Sequence, residues 1–260
     1  MRLLFVGDVI GKPGRQAAAR FLPELVDRRH VDYTVVNIEN AAGGFGITPE
    51  VLDEFADLPI DCFTSGNHVW DKKLGLPLLD ERANVLRPAN YPPGNPGRGL
   101  HVGETAAGIP VATINLEGQV FMSPLDSPFE EADKLVAGLD GKVKVILVDF
   151  HAEATSEKQA MGWYLDGRAS AVLGTHTHVP TADARILPNG TAFMTDVGMT
   201  GPYESIIGFR TDRVLRRFLL RTPSQFEVAK DDVRLAAALI EIDPKSGRAQ
   251  SIEPLLLPMP

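Results

Sequence analysis

Cysteine is almost missing from this chain. Cys62 is the one thiol among 260 residues, so no intramolecular disulfide can form. Its neighbours in "LPIDCF" are apolar, which predicts a buried, inert thiol and suits a reducing cytoplasm. Positive charge is also in short supply: 26 Lys and Arg face 34 Asp and Glu, a net −8. Long nucleic acid is therefore an improbable partner, because phosphate contacts need clustered Lys and Arg. An anionic substrate would need a local positive centre. No apolar run approaches the ~20 residues that span a bilayer, so no membrane association is expected. "MRLLFVGDV" meets Gly-Asp within eight residues, too soon for a signal peptide, and reads as a first strand. Repeats and low-complexity tails are absent. The most loop-like stretch is "RPANYPPGNPGRG" (87–99), dense in Pro and Gly.

What is present alternates. Apolar, β-branched runs fall at 3–9, 33–39, 61–64, 111–116, 143–150, 171–174, 184–187, 191–195 and 234–242. Helical stretches lie between several of them. Pro13 opens one, Thr48-Pro49 reads as N-cap and first residue of another, and "SPFE" (127–130) has capping-box spacing. "SEKQ" (156–159) repeats that spacing, with Gly167 as a stop. Asn189-Gly190 reads as a hairpin turn. Strands apolar on both faces and separated by helices argue for largely parallel sheet covered on both sides, with the late strands antiparallel. The expectation is one domain over 1–260, an α/β layered sandwich of two packed sheets flanked by helices.

Polar residues cluster at the ends of these strands. Asp8 follows the first, Glu39 and Asn40 the second, and Asn67, His68 and Asp71 the third. His151 ends "ILVDFH", and His176 and His178 end "AVLGTHTH". In open α/β sheets, ligands bind beyond the carboxyl ends of the strands, so parallel strands would deliver these groups to one edge. Histidines at i and i+2 on extended chain point to one side. Each residue alone has an ordinary reading. Asp8 and Asn67 suit turns, Glu39-Asn40 a loop cap, His151 a satisfied core histidine, and the HxH pair a polar loop. Their joint occurrence at successive strand ends outweighs those readings. Imidazole, carboxylate and amide oxygen donors suit Mn, Fe or Zn over Cu(I), and are too nitrogen-rich for calcium. Seven donors exceed the three or four of a single zinc site, whereas two metals sharing a carboxylate would use them all.

"GD" near the start, "GNH" in the middle and "GTHTH" late resemble the calcineurin-like dinuclear metallophosphoesterase superfamily. "GDVIGKPGR", "NIENAAGGFG", "TSGNHVWD" and "DFHAEATSEK" are similar to its YmdB-like branch, whose members act on cyclic nucleotides. The resemblance implies an α/β/β/α sandwich. It implies that Asp8, Asn40 and His178 hold one metal, that Asn67, His151 and His176 hold a second, and that Glu39 bridges them. It also implies phosphodiester hydrolysis by a hydroxide shared between the metals, with His68 as general acid and Asp71 orienting it. The chain departs from the wider superfamily in having Ile10 where a histidine is usual, Glu39-Asn40 for Gly-Asp, and Thr175 before His176. Replacing a nitrogen donor by Asn40 oxygen makes that site harder and favours Mn or Fe over Zn.

The expected substrate is a cyclic nucleotide such as a 2′,3′-cyclic one. A phosphomonoesterase or nucleotidase would share the metal centre, and a nucleotide-sensing regulator or a metal-free scaffold would need no acid at His68. Phe45 in "AGGFG" and Tyr203 in "GMTGPYESIIGF" either stack on a base or pack their own loops. "LRRFLL" (215–220) reads equally as core or as a homo-oligomer surface. His30 and His101 read as solvated surface.

Overall fold

The computed structural model describes residues 1–139 and 141–260. Twelve strands run in chain order: β1 (Arg2–Val6), β2 (Tyr33–Asn37), β3 (Cys62–Thr64), β4 (Leu100–Glu104), β5 (Pro110–Glu117), β6 (Val145–His151), β7 (Ala171–Thr175), β8 (Arg185–Ile186), β9 (Ala192–Met194), β10 (Gly201–Pro202), β11 (Val233–Ile242) and β12 (Ala249–Pro258). Six α-helices accompany them: α1 (Gly11–Arg29), α2 (Pro49–Asp53), α3 (Leu76–Glu81), α4 (Pro128–Gly138), α5 (Thr155–Tyr164) and α6 (Thr211–Leu220). No helix among the described residues is long and apolar enough to cross a membrane.

The strands form two mixed six-stranded sheets. The first has the order β10-β11-β1-β2-β3, with β12 on the other side of β11; the second has the order β4-β5-β6-β7-β9-β8. β1, β2 and β3 run parallel, as do β5, β6, β7 and β9. Their residues are buried on both faces, which is why these runs carry no alternation. Leu3, Phe5 and Val35 from one sheet meet Val111, Leu147 and Leu173 from the other in the layer between the sheets. The outer face of the first sheet packs Leu4, Val6 and Val36 against Ala17, Ala18 and Leu22 of α1. The outer face of the second packs Ile114, Val148 and Val172 with Ala132 of α4 and Met161 of α5. The architecture is thus the expected α/β/β/α sandwich.

All nine predicted strands are present, within three residues of their expected ends. Ser127 Oγ and Thr48 Oγ1 accept from Glu130 N and Val51 N, each at 3.4 Å, as the capping patterns require. "SEKQ" is a correction. α5 starts at Thr155 after an Ala154 cap without a side-chain bond, so Ser156 lies inside the helix. Glu157 of this segment serves another loop, accepting from Gln119 N at 2.9 Å and Val120 N at 3.1 Å. Asn189-Gly190 does turn β8 into β9, with Gly190 at φ 97°. β9 nevertheless pairs parallel with β7, so the late strands are not uniformly antiparallel. β4, β10 and β12 escaped the sequence reading. β12 is an edge strand that carries Pro254 opposite Ala238, a residue a central strand would not tolerate. His101 is a second correction: it sits half-buried on β4, not in a solvated loop. "LRRFLL" is not core, since only Val214 of α6 is buried.

Candidate metal centre

The polar residues converge, but from two sheets rather than along one edge. Asp8 follows β1 by one glycine, and Glu39-Asn40 follow β2. Asn67 opens a short 3-10 turn after β3. His151 is the last residue of β6, and His176 and His178 lie just past β7. Asp8, Glu39, Asn40, His151 and His178 are buried. Glu39, His151 and His176 form one group that could hold a metal ion, and Asp8, Glu39 and His178 form another. Within each group the donor atoms lie within 4.8 Å of one another.

The HxH geometry differs from the sequence argument. His176 has φ 100° and His178 φ 67°, so the segment is left-handed rather than extended. His176 joins one group and His178 the other, and the two groups share Glu39. Such backbone costs about 1–3 kcal/mol per residue and persists only where its surroundings enforce it. Here Asp196 does so. Its carboxylate accepts from Thr177 N at 3.1 Å, Thr177 Oγ1 at 2.8 Å and Gly198 N at 2.8 Å, and pairs with buried Lys158 Nζ at 2.6 Å.

Each imidazole is anchored on its outer nitrogen. His151 Nδ1 lies 2.9 Å from Thr175 Oγ1, which donates to Asp149 Oδ1 at 2.7 Å. His178 Nδ1 lies 2.9 Å from the carbonyl of Ile207, and His176 Nε2 lies 3.1 Å from Glu153 Oε2. Those partners take the outer nitrogens, so each ring presents its other nitrogen inward. His151 Nε2 then stands 3.0 Å from Asn67 Oδ1, 3.0 Å from His176 Nδ1 and 3.1 Å from Glu39 Oε1. A proton on that nitrogen satisfies one of these neighbours, whereas a cation satisfies all. The second group has the same character. Asn40 Nδ2 donates to Gly44 O at 3.0 Å, which turns Asn40 Oδ1 toward His178 Nε2 at 3.2 Å. Asp8 Oδ1 is buried with no hydrogen-bond partner. Gly66 leaves the room: a Cβ there would stand 2.3 Å from His151 Nε2 and 2.4 Å from Glu39 Oε2. This donor set fits metal cations.

Without a cation, a proton takes the inward position on His151. Burial raises the Asp8 carboxyl well above its usual range. Burial would also raise Glu39, but His151 beside it carries it down to about 2. Burial opposes charge on His151, and Glu39 and Asp8 override this to push it up to about 9. His176 is pushed down to about 3 by burial and then by charged His151, and burial lowers His178 as well.

Around this core, His68 lines an adjoining cleft with Phe45, and its Nδ1 lies 2.9 Å from Asp71 Oδ2. Its backbone N–H donates to Glu39 Oε2 at 3.2 Å. Tyr203 points elsewhere, with its hydroxyl on Met199 O at 3.0 Å, so its loop-packing reading holds. Ile10, in the position where a histidine is usual, is buried against Gly201 and Gly208. Sequence reasoning missed Glu117. It closes β5 in register with His151, is fully buried near Tyr91, and burial pushes it up to about 7. Its signal was the polar residue directly after the apolar run 111–116. Asp149 was missed as well, because it falls inside an apolar strand.

A two-sheet α/β/β/α sandwich with paired oxygen and nitrogen donor clusters at its strand ends defines a metallophosphoesterase-type protein. The family model described as YmdB-like protein matches residues 4–255, and the chain belongs to that family. It is 48% identical to a 2′,3′-cyclic-nucleotide 2′-phosphodiesterase of Bacillus subtilis (strain 168) over 99% of this chain and 97% of that one. A crystal structure of a hypothetical protein from Thermus thermophilus superposes with a TM-score of 0.94 at 45% identity, covering 100% of both chains. That of a novel phosphatase from Mycoplasma pneumoniae gives 0.93 at 33% identity, covering 99% of this chain and 93% of that one.

Proposed function

We propose that this chain is a metal-dependent phosphodiesterase that holds two cations and opens the phosphodiester ring of a 2′,3′-cyclic nucleotide. The observation that carries this reading is the inward presentation of three histidine nitrogens alongside Asp8, Glu39, Asn40 and Asn67. Asp8, Asn40 and His178 would hold one cation, and Asn67, His151 and His176 the other. Glu39, which belongs to both groups, would bridge them. The bound cations supply charge that acidifies water and stabilises negative charge on the phosphoryl group. Hard oxygen donors from two carboxylates and two amides favour Mn or Fe, with Zn as the weaker match. The activity named for the B. subtilis relative, near-identical in length and 48% identical, supports the substrate class.

The protein's own groups divide the remaining work. Asp71 holds His68 by Nδ1, and the ring lines the cleft beside Glu39 and His176. His68 would protonate the departing ester oxygen, a role worth about 10²–10⁴ in rate. Residues 1–260 act as one unit in this reading, because the donors come from both sheets and span Asp8 to His178. The buried thiol of Cys62 is consistent with a reducing cytoplasm.

Elemental analysis joined to a substrate panel tests the proposal. Two equivalents of Mn or Fe, with turnover of 2′,3′-cyclic AMP exceeding that of 5′-AMP, is the expected result. Hydrolysis of 5′-AMP alone would make the protein a phosphomonoesterase, and purified protein that takes up no metal would end the hydrolase reading.

A further inference from the structure

The cleft beside the metal centre is larger than one nucleotide needs. It encloses about 1360 Å³, above the roughly 300–1,000 Å³ of ordinary small-molecule sites. Glu39, Asn40, His176 and His178 lie at one end, and Arg217 and Arg221 also line it. An aromatic row joins the two. His68 meets Phe45 at 4.9 Å, Phe45 stacks on Phe209 at 5.2 Å, Phe209 meets Phe226 at 5.2 Å, and Arg217 lies 5.0 Å over the Phe226 ring. The arginines of this region differ from one another. Arg210 and Arg213 are neutralised by Asp212 and Glu227, whereas Arg217 and Arg221 have no carboxylate partner among the described residues. Two unneutralised guanidinium groups at one cleft are notable in a chain of net charge −8.

Resting on the hydrolase reading above, we propose that the preferred substrate is a short oligoribonucleotide ending in a 2′,3′-cyclic phosphate. The terminal phosphate occupies the metal centre. Bases pack against half-buried Phe45 and Phe226, with buried Phe209 holding the two rings in place, and such a surface accepts any base because every base has a π-face. The phosphodiester on the 5′ side meets Arg217 and Arg221, whose planar forks match phosphate oxygens. A mononucleotide has one phosphate and leaves that pole unused. Charge complementarity favours this occupant over a second copy of the chain. Exposed Leu215, Phe218, Leu219 and Leu220 would suit self-association, but Arg217 and Arg221, without carboxylate partners among the described residues, line the cleft beside them and favour an anion.

The test compares metal-loaded protein on three substrates: adenosine 2′,3′-cyclic phosphate, the same nucleotide with a 5′-phosphate, and ApA ending in the cyclic phosphate. The expected result is a kcat/KM about tenfold or more higher for the dinucleotide, shrinking between 50 and 300 mM salt. The intermediate substrate shows how much comes from the phosphate alone. An Arg217→Ala, Arg221→Ala double variant with native circular dichroism and metal content should bring the ratio toward one. A ratio of one in the parent protein overturns the proposal, as does a ratio that survives the double variant. A dimer broken by Phe218→Asp with the ratio unmoved assigns the face to a second copy and also overturns it. Should no substrate turn over, the hydrolase reading fails separately. Equilibrium binding then decides the cleft: tenfold tighter dinucleotide binding supports the proposal and equal affinity overturns it.

Discussion

Glu39 Oε1 lies 3.1 Å from His151 Nε2, and both side chains are buried. One residue comes from the turn after β2 and the other ends β6, so this contact ties the two sheets together at the site. Glu39 also belongs to the group formed with Asp8 and His178. Glu39→Gln keeps the shape and removes the charge that both groups share. Metal content measured by elemental analysis should fall below two equivalents, and turnover should drop by more than the ~10–100-fold typical of residues that only support ligands. Full metal content with unchanged turnover would remove Glu39 from the centre.

The same pair makes the cation-free protein sensitive to pH. His151 is held up at about 9, against 6.5 for a free histidine. A raised histidine stabilises the fold fully below about 6.5, and the contribution disappears as pH rises through about 9. Asp8, raised by burial, acts in the same direction. Urea midpoints of chelator-treated protein should therefore decline between pH 6.5 and 9. Metal-loaded protein should hold its midpoint there, because cations replace the proton. A midpoint that climbs over this interval without metal would contradict the assigned charges.

Thr175 stands between His151 Nδ1 and Asp149 Oδ1. Thr175→Val removes the acceptor that orients the ring and the donor that serves a buried carboxylate. Metal affinity by competition titration should weaken about 10–100-fold. Stability should fall by about 1–3 kcal/mol from the unsatisfied group. Unaltered metal affinity would show that His151 is oriented by packing alone.

Lys158 and Asp196 pair in the interior beneath the GTHTH segment. Lys158→Met leaves Asp196 charged and buried, and should cost about 3–5 kcal/mol. Asp196→Asn in the same chain should recover part of this loss in denaturant titration. Metal binding should not recover with it, since the carboxylate also holds Thr177 and Gly198. Additive losses in the double variant would argue against a coupled pair.

His68→Ala should leave metal content intact. Turnover of a cyclic nucleotide, with its basic alkoxide leaving group, should fall about 10²–10⁴-fold. Turnover of a nitrophenyl phosphodiester should fall far less, because nitrophenolate departs without protonation. Equal losses on both substrates would assign His68 to positioning.

Much of this was legible before folding. The period of the apolar runs marked nine of the twelve strands, because strands buried on both faces must be apolar throughout. Asp8, Glu39, Asn40, Asn67, His151, His176 and His178 stood out because a polar residue closing such a run has little structural reason to be there. Glu117 carried the same mark, directly after the run ending at Leu116, but stands there as a single polar residue before Gly118. β12 was hidden by Pro254, which only an edge position makes acceptable. Asp149, Asp196 and Lys158 were hidden for another reason: each looks like an isolated charge until its partner, distant in the chain, is beside it.

The chain alone determined which donors exist, in what chemical kinds, and that they fall where strands finish. Only the tertiary structure decided how they are shared. It brought β1 and β2 of one sheet against β6 and β7 of the other, and it assigned His176 and His178 to two donor groups through left-handed backbone. It also set the outer partner of each imidazole. Donor identity is local and readable residue by residue, whereas lone-pair direction depends on contacts between segments far apart in the chain.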